Sequence, residues 1–152
     1  MSLAPGRAAG GKVFLFMDDL TGLQERTVST IFDKIQGTLA DILDVEEDEI
    51  TSETYLIRDL DVESIDLLEL AVTLSSEFHI DVNDDEVFLK TLRVYLNNPP
   101  EGVSDLRSYL MEKYPYLTSE RVDEILTDQT GGPVLKVKDI VNYVNWRSES
   151  GK

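Results

Sequence analysis

One serine with acidic neighbours offers the clearest chance of chemistry in this sequence. Ser64 opens an apolar run and lies among the acids Asp61, Glu63 and Asp66 in DLDVESIDLLELAVTL. Such a serine can cap a helix by accepting hydrogen bonds from free backbone N–H groups of the first turn. Alternatively it can carry a covalent group, because the partial positive charge at a helix N-terminus favours an attached phosphate. The flanking acids would not hold that phosphate, but they suit contacts with a basic enzyme that adds the group or works on it.

Helices must position this serine. Apolar residues recur at steps of three and four over Leu20–Leu43, and Thr21 and Gln24 have the spacing of a capping box at its start. A second helix is predicted from about Ser64. Apolar residues cover more than half of the circumference of this helix, which predicts that the helix is largely buried.

Shorter helical patterns follow, separated by breaks rich in proline and glycine. They span residues 84–96, residues 103–114, a segment capped by Thr118 or Ser119, and a last helix through Val137 to Val144. No convincing strand alternation appears. The pattern predicts an all-helical bundle with a long acidic connection between its first two major helices.

Composition excludes several classes of function. The chain has 152 residues, no cysteine and a net charge of −16, and residues 18–89 hold 21 acidic and 3 basic residues. A nucleic-acid partner is not expected, because a phosphate backbone requires a basic surface. Basic protein surfaces are the natural partners. Without cysteine or a membrane-spanning run, the chain is expected to be cytoplasmic, and we expect a monomer. Its single histidine, His79, is a poor candidate for a metal site.

Two segments together resemble the acyl carrier protein family. LDVEEDEITSETYLIRDLDVESIDLLELAVTLSSEFHIDVNDDE follows that family's pattern without a gap, and Glu63-Ser64-Ile65 stands where the family has Asp-Ser-Leu. VLKVKDIVNYV, near the C-terminus, resembles the family's last helix. The resemblance covers roughly residues 20–88 and 134–147. Asp61 departs from it, since the family has glycine at that position.

The resemblance implies an acyl-carrier-like four-helix bundle with an inserted helical subdomain. It also implies that Ser64 carries 4′-phosphopantetheine, a flexible prosthetic arm. Acyl groups would be bound to this arm as thioesters for fatty acid, lipid or polyketide biosynthesis. Such a protein is not an enzyme. We expect a flexible leader over residues 1–19, the domain over 20–148 with the insertion at about 89–133, and a tail over 149–152.

The implied partners are a phosphopantetheinyl transferase and acyl-loading and acyl-transfer enzymes with basic docking surfaces. Their contacts are expected on the acids around the serine, on the motif's apolar residue and at the start of the third helix. These residues are Asp61, Glu63, Ile65, Asp66, Glu69 and Asp84.

Alternatives stay open on the sequence alone. The chain could be an unmodified acidic adaptor for a basic protein, with Ser64 serving only as a helix cap, or a carrier of aminoacyl or polyketide units. The insertion could widen or roof an acyl cavity, form a docking surface for one dedicated enzyme, or be a self-packed excursion without a ligand role.

Overall fold

The computed structural model describes residues 16–150, and the side chains of residues 27–149 within that range. Seven α-helices and two short 3-10 turns make up this part of the chain, and no strand occurs in it beyond an isolated bridge between Tyr55 and Lys136. The all-α prediction is confirmed. The helices are α1 (Phe16–Leu43), α2 (Ser64–Phe78), α3 (Asp84–Val87), α4 (Leu92–Asn97), α5 (Leu106–Lys113), α6 (Ser119–Asp128) and α7 (Val137–Ser150), and the turns are Glu47–Glu49 and Gln129–Gly131.

The first helix begins earlier than its sequence pattern predicts. Helix α1 starts at Phe16, so a helix start capped by Thr21 and Gln24 is wrong. No proline or glycine separates Phe16 from Thr21, so this stretch contains no residue that would break the helix. The last residues of the predicted leader therefore belong to α1, and the remainder lies outside the described residues.

The third predicted helix, over residues 84–96, is divided into α3 and α4. Val87, Phe88 and Leu89 are all buried, although they are consecutive. Successive residues of an α-helix point about 100° apart, so one helix face cannot bury three in a row. The chain leaves the helix here, and Leu89 adopts a left-handed conformation with φ of 54°.

The bundle and the insertion share one core. Helix α1 packs against α2 and α7, and α3 also packs against α7. Tyr116, Val122 and Ile125, which lie in the insertion, are buried in the same apolar cluster as Ile35 of α1 and Val144 of α7. The insertion is therefore part of the domain core and not a self-packed excursion.

Aromatic rings extend from the insertion to the last helix. The centroid of the Tyr116 ring lies 5.2 Å from that of Tyr143 and 5.8 Å from that of Trp146, and both of these residues are on α7. On its other side, Tyr116 contacts Tyr114, which contacts Tyr95. Edge-on aromatic pairs contribute about 0.5–1.5 kcal/mol each beyond their buried area, so this row fastens the insertion to α7.

The loop before α2 is fastened to the end of α6. Arg58 Nη1 donates to Asp128 Oδ1 at 3.0 Å, and Arg58 Nη2 donates to the Gly132 carbonyl at 2.9 Å. The Tyr55 hydroxyl also donates to the Asp128 carboxylate. These bonds join residues that are 70 or more positions apart, and they hold the insertion against the α1–α2 loop.

Asp128→Asn is expected to lower the free energy of unfolding by about 1–2 kcal/mol at pH 7, because hydrogen bonds to a charged group are lost. The Tyr55 and Arg58 hydrogen bonds hold the pKa of Asp128 below its ordinary value. A lowered folded-state pKa stabilises the fold above the unfolded-state pKa of about 3.9, and this contribution is lost as the pH falls through the folded-state pKa. Urea unfolding should therefore show the two proteins converging below about pH 4. A difference independent of pH would contradict this account.

Candidate functional site

Ser64 is the first residue of α2, and Glu63 occupies the N-cap position before it. The Glu63 backbone N–H donates to Asp66 Oδ2 at 2.9 Å, as in a capping box. The interpretation of Ser64 as the helix cap is therefore wrong, because its neighbour fills that position. The Ser64 side chain is left without a capping role.

The Ser64 side chain is exposed to solvent. No hydrogen bond joins its hydroxyl to any side chain or backbone group in the part of the chain that the structure describes. The first turn of a helix has N–H groups without helical partners and a partial positive charge. An accessible hydroxyl at this position fits a covalently attached phosphate ester.

A tight loop positions this helix start. Val62 is buried, and its N–H donates to the Leu56 carbonyl at 3.1 Å. The Leu56 N–H donates in turn to the Leu135 carbonyl at 3.0 Å, just before α7. Asp61 has a φ of 55°, in the left-handed region where glycine is favoured. The glycine expected here from the family resemblance thus matches the backbone that Asp61 adopts.

Asp61→Gly is expected to be more stable than Asp61→Ala by about 1 kcal/mol, because the alanine Cβ is strained in the left-handed region. Both variants remove the same carboxylate, so urea unfolding midpoints isolate the backbone effect. The same pair of changes at Glu69, inside α2, should have the opposite order, since glycine costs about 1 kcal/mol relative to alanine there. Equal stability of the two Asp61 variants would contradict the prediction.

Helix α2 carries an exposed apolar stripe. The exposed fractions of Ile65, Leu68 and Val72 are 69%, 58% and 62%, and these residues are three and four positions apart. In α2 only Leu70, Ala71 and Leu74 are buried. The prediction of a largely buried helix is wrong, because α2 packs along one side only and its opposite side faces solvent.

Most of the predicted partner-binding residues lie together beside Ser64. Glu63, Ile65 and Glu69 are exposed, as is Asp61 in the preceding loop, and Asp66 is partly exposed. Asp84 belongs to another element, at the start of α3, where its carboxylate is 4.0 Å from Lys90 Nζ. Sequence reasoning missed Leu68 and Val72, because their apolar side chains match those of core positions.

A groove of about 530 Å³ lies between α2 and the insertion. Such a volume is typical of small-molecule sites. Leu67, one turn along α2 from Ser64, contributes one wall together with Ile57 from the preceding loop. The insertion contributes much of the opposite wall. The other lining residues are Phe88, Leu89, Lys90, Leu92, Arg93, Leu96, Asn97, Gln129, Thr130, Gly132, Pro133, Val134 and Leu135.

Two kinds of feature are absent from residues 16–150. No helix among them is long and apolar enough to cross a membrane. No group of three or more histidine and acidic side chains in the described part could hold a metal ion. His79 is exposed and ends α2 in a left-handed conformation with φ of 56°.

Comparisons with known proteins identify the region around Ser64. The family described as phosphopantetheine attachment site matches residues 33–94. An acyl carrier protein of Picosynechococcus is 46% identical over 55 residues, which are 36% of this chain and 68% of the relative. One from Lactobacillus acidophilus is 45% identical over 56 residues, or 37% and 70% of the two chains. One from Petrotoga mobilis is 34% identical over 61 residues, or 40% and 72%. No solved structure matches the chain significantly.

Proposed function

This chain belongs to the acyl carrier protein family, and on that premise we propose that it holds an acyl or related group as a thioester on 4′-phosphopantetheine at Ser64. It would present this group to enzymes of fatty acid, lipid or polyketide synthesis. The family carries a covalently attached 4′-phosphopantetheine and does not catalyse reactions, so the chain is a carrier and not an enzyme. A cytoplasmic location, which suits a cysteine-free chain, belongs to the same proposal.

The exposed Ser64 hydroxyl is the observation that carries the proposal. In the attachment step, Ser64 Oγ bonds to the β-phosphorus of coenzyme A and loses its proton to a base of the transferase. The pyrophosphate bond breaks, and adenosine 3′,5′-bisphosphate leaves. The bound group supplies a terminal thiol, which this cysteine-free chain lacks. The role of the chain is to keep the hydroxyl accessible, and the cap at Glu63 leaves Ser64 free for this role.

The outer face of α2 is proposed to bind the partner enzymes. Glu63 and Glu69 are exposed there beside the apolar stripe of Ile65, Leu68 and Val72. Exposed apolar side chains supply contact area, and acids around them steer a basic surface into position. Asp61 and Asp66 extend the acidic part of this face, and Asp84 at the start of α3 is proposed as a further acidic contact.

Mass spectrometry of the intact protein tests the carrier function. Incubation of the wild type with coenzyme A and a broad-range phosphopantetheinyl transferase should add one phosphopantetheine per chain. A second carrier protein in the same reaction shows that the transferase is active. If only that control gains mass, the carrier proposal fails and the unmodified adaptor becomes the better account.

A further inference from the structure

The groove beside α2 has an apolar side and a cationic side. Leu67, Phe88 and Leu92 line its apolar part, and Phe88 and Leu92 are buried in the core. Lys90 and Arg93 line it from the insertion, three residues apart. A purely hydrocarbon ligand would need only the apolar side of the groove and not the cationic side.

Arg93 is unusual among the cations of this chain. Ten basic side chains lie in the part that the structure describes, and nine of them have an ion pair or a ring contact. Arg93 has neither, and no hydrogen bond joins it to a described residue. The net charge of the chain is −16, so acids that could pair with Arg93 are abundant. Its guanidinium is left available at the groove.

Lys90 forms only a weak ion pair. Its Nζ lies 4.0 Å from Asp84 Oδ2, and both side chains are about half-exposed. Exposed pairs at this distance contribute little to stability, so a competing anion could take the place of Asp84. Asn97, one helical turn beyond Arg93, adds an amide to the same wall.

We propose that this groove accepts an acyl chain whose far end carries a carboxylate, paired with Arg93 and Lys90. The inference rests on the proposed function, because the chain would reach the groove on the arm attached at Ser64. The planar guanidinium of arginine pairs with carboxylates through two parallel hydrogen bonds. The phosphate of the arm is a less suitable anion for this site. It is bonded to Ser64 Oγ, and Ser64 does not line the groove.

The test compares two loads of equal length. A broad-range transferase transfers octanoyl-phosphopantetheine or suberoyl-phosphopantetheine from the respective coenzyme A thioester to the full-length apo-protein. The half-life of each thioester is then measured in neutral hydroxylamine. The suberoyl thioester should survive about tenfold longer in the wild type than in Arg93→Gln. The variant lacks the charge-assisted hydrogen bonds between Arg93 and the terminal carboxylate, which hold the acyl chain in the groove. The octanoyl half-life should change less than about twofold.

Lys113→Gln is the matched control. Lys113 is an exposed cation in the same insertion, outside the groove, so its removal should leave both half-lives unchanged. Circular dichroism verifies that each variant is folded. The inference is overturned if Arg93→Gln leaves the suberoyl half-life unchanged. It is also overturned if both half-lives fall equally, because arginine would then act on the shared arm or through its apolar stem. Failure of the wild type to load either thioester refutes the carrier function itself, at an earlier step.

Discussion

Ser64→Ala is expected to gain no mass when it is incubated with coenzyme A and a broad-range phosphopantetheinyl transferase, whereas the wild type gains one phosphopantetheine. The attachment step needs a nucleophilic oxygen at this position, and alanine has none. The loss should therefore be complete and not partial. Mass spectrometry of the intact protein measures it directly.

The matched control for this result is Ser76→Ala. Ser76 is also exposed and lies in the same helix, so the variant should take up the full mass. Uptake by Ser64→Ala would show that the group is attached elsewhere. The free energy of unfolding of Ser64→Ala tests the assignment of the cap, since loss of an N-cap typically lowers that free energy by about 1 kcal/mol. Because Glu63 is the N-cap, Ser64→Ala should change the free energy of unfolding by less than about 0.5 kcal/mol.

Arg121→Met is expected to lower the free energy of unfolding by about 3–5 kcal/mol, because it leaves a buried carboxylate without its partner charge. Arg121 is 3% exposed and Asp139 is fully buried. Arg121 Nε and Nη2 donate to the two oxygens of Asp139 at 2.7 and 2.8 Å. The Lys136 N–H donates to Asp139 Oδ2 at 2.9 Å, so the carboxylate also organises the start of α7.

Urea unfolding measures this loss, and Arg107→Met is its control. Arg107 Nε donates to Asp123 Oδ1 at 2.6 Å, so this ion pair is as close as the buried one, but both side chains are about half-exposed. Exposed pairs contribute about 0–1 kcal/mol. A similar, small effect of both substitutions would contradict the view that the Arg121–Asp139 pair fastens α6 to α7. Since small domains are stable by about 5–15 kcal/mol, the Arg121 variant should lose a large share of its stability.

The local sequence determined the features that depend on neighbouring residues. The start of α2 at Ser64 is predictable because apolar residues at helical spacing and acidic residues near the helix start lie within one short segment of the sequence. Thr118 was predicted as a possible cap of α6, and it accepts a hydrogen bond from the Arg121 N–H at 3.1 Å. The all-α class likewise follows from periodicity, and the carrier family from the resemblance of residues 20–88 and 134–147, without reference to contacts between distant segments.

The tertiary structure decided which side chains meet and which remain exposed. An apolar period marks a helix face but does not tell whether a core or solvent lies opposite, so the exposure of Leu68 and Val72 was not predictable. The break at Leu89 follows from burial on several sides at once. Arg58 meets Asp128 across 70 residues, and no local pattern encodes such a pair. The groove depends on the same long-range packing, because its walls come from α2 and from an insertion whose position only the folded core determines.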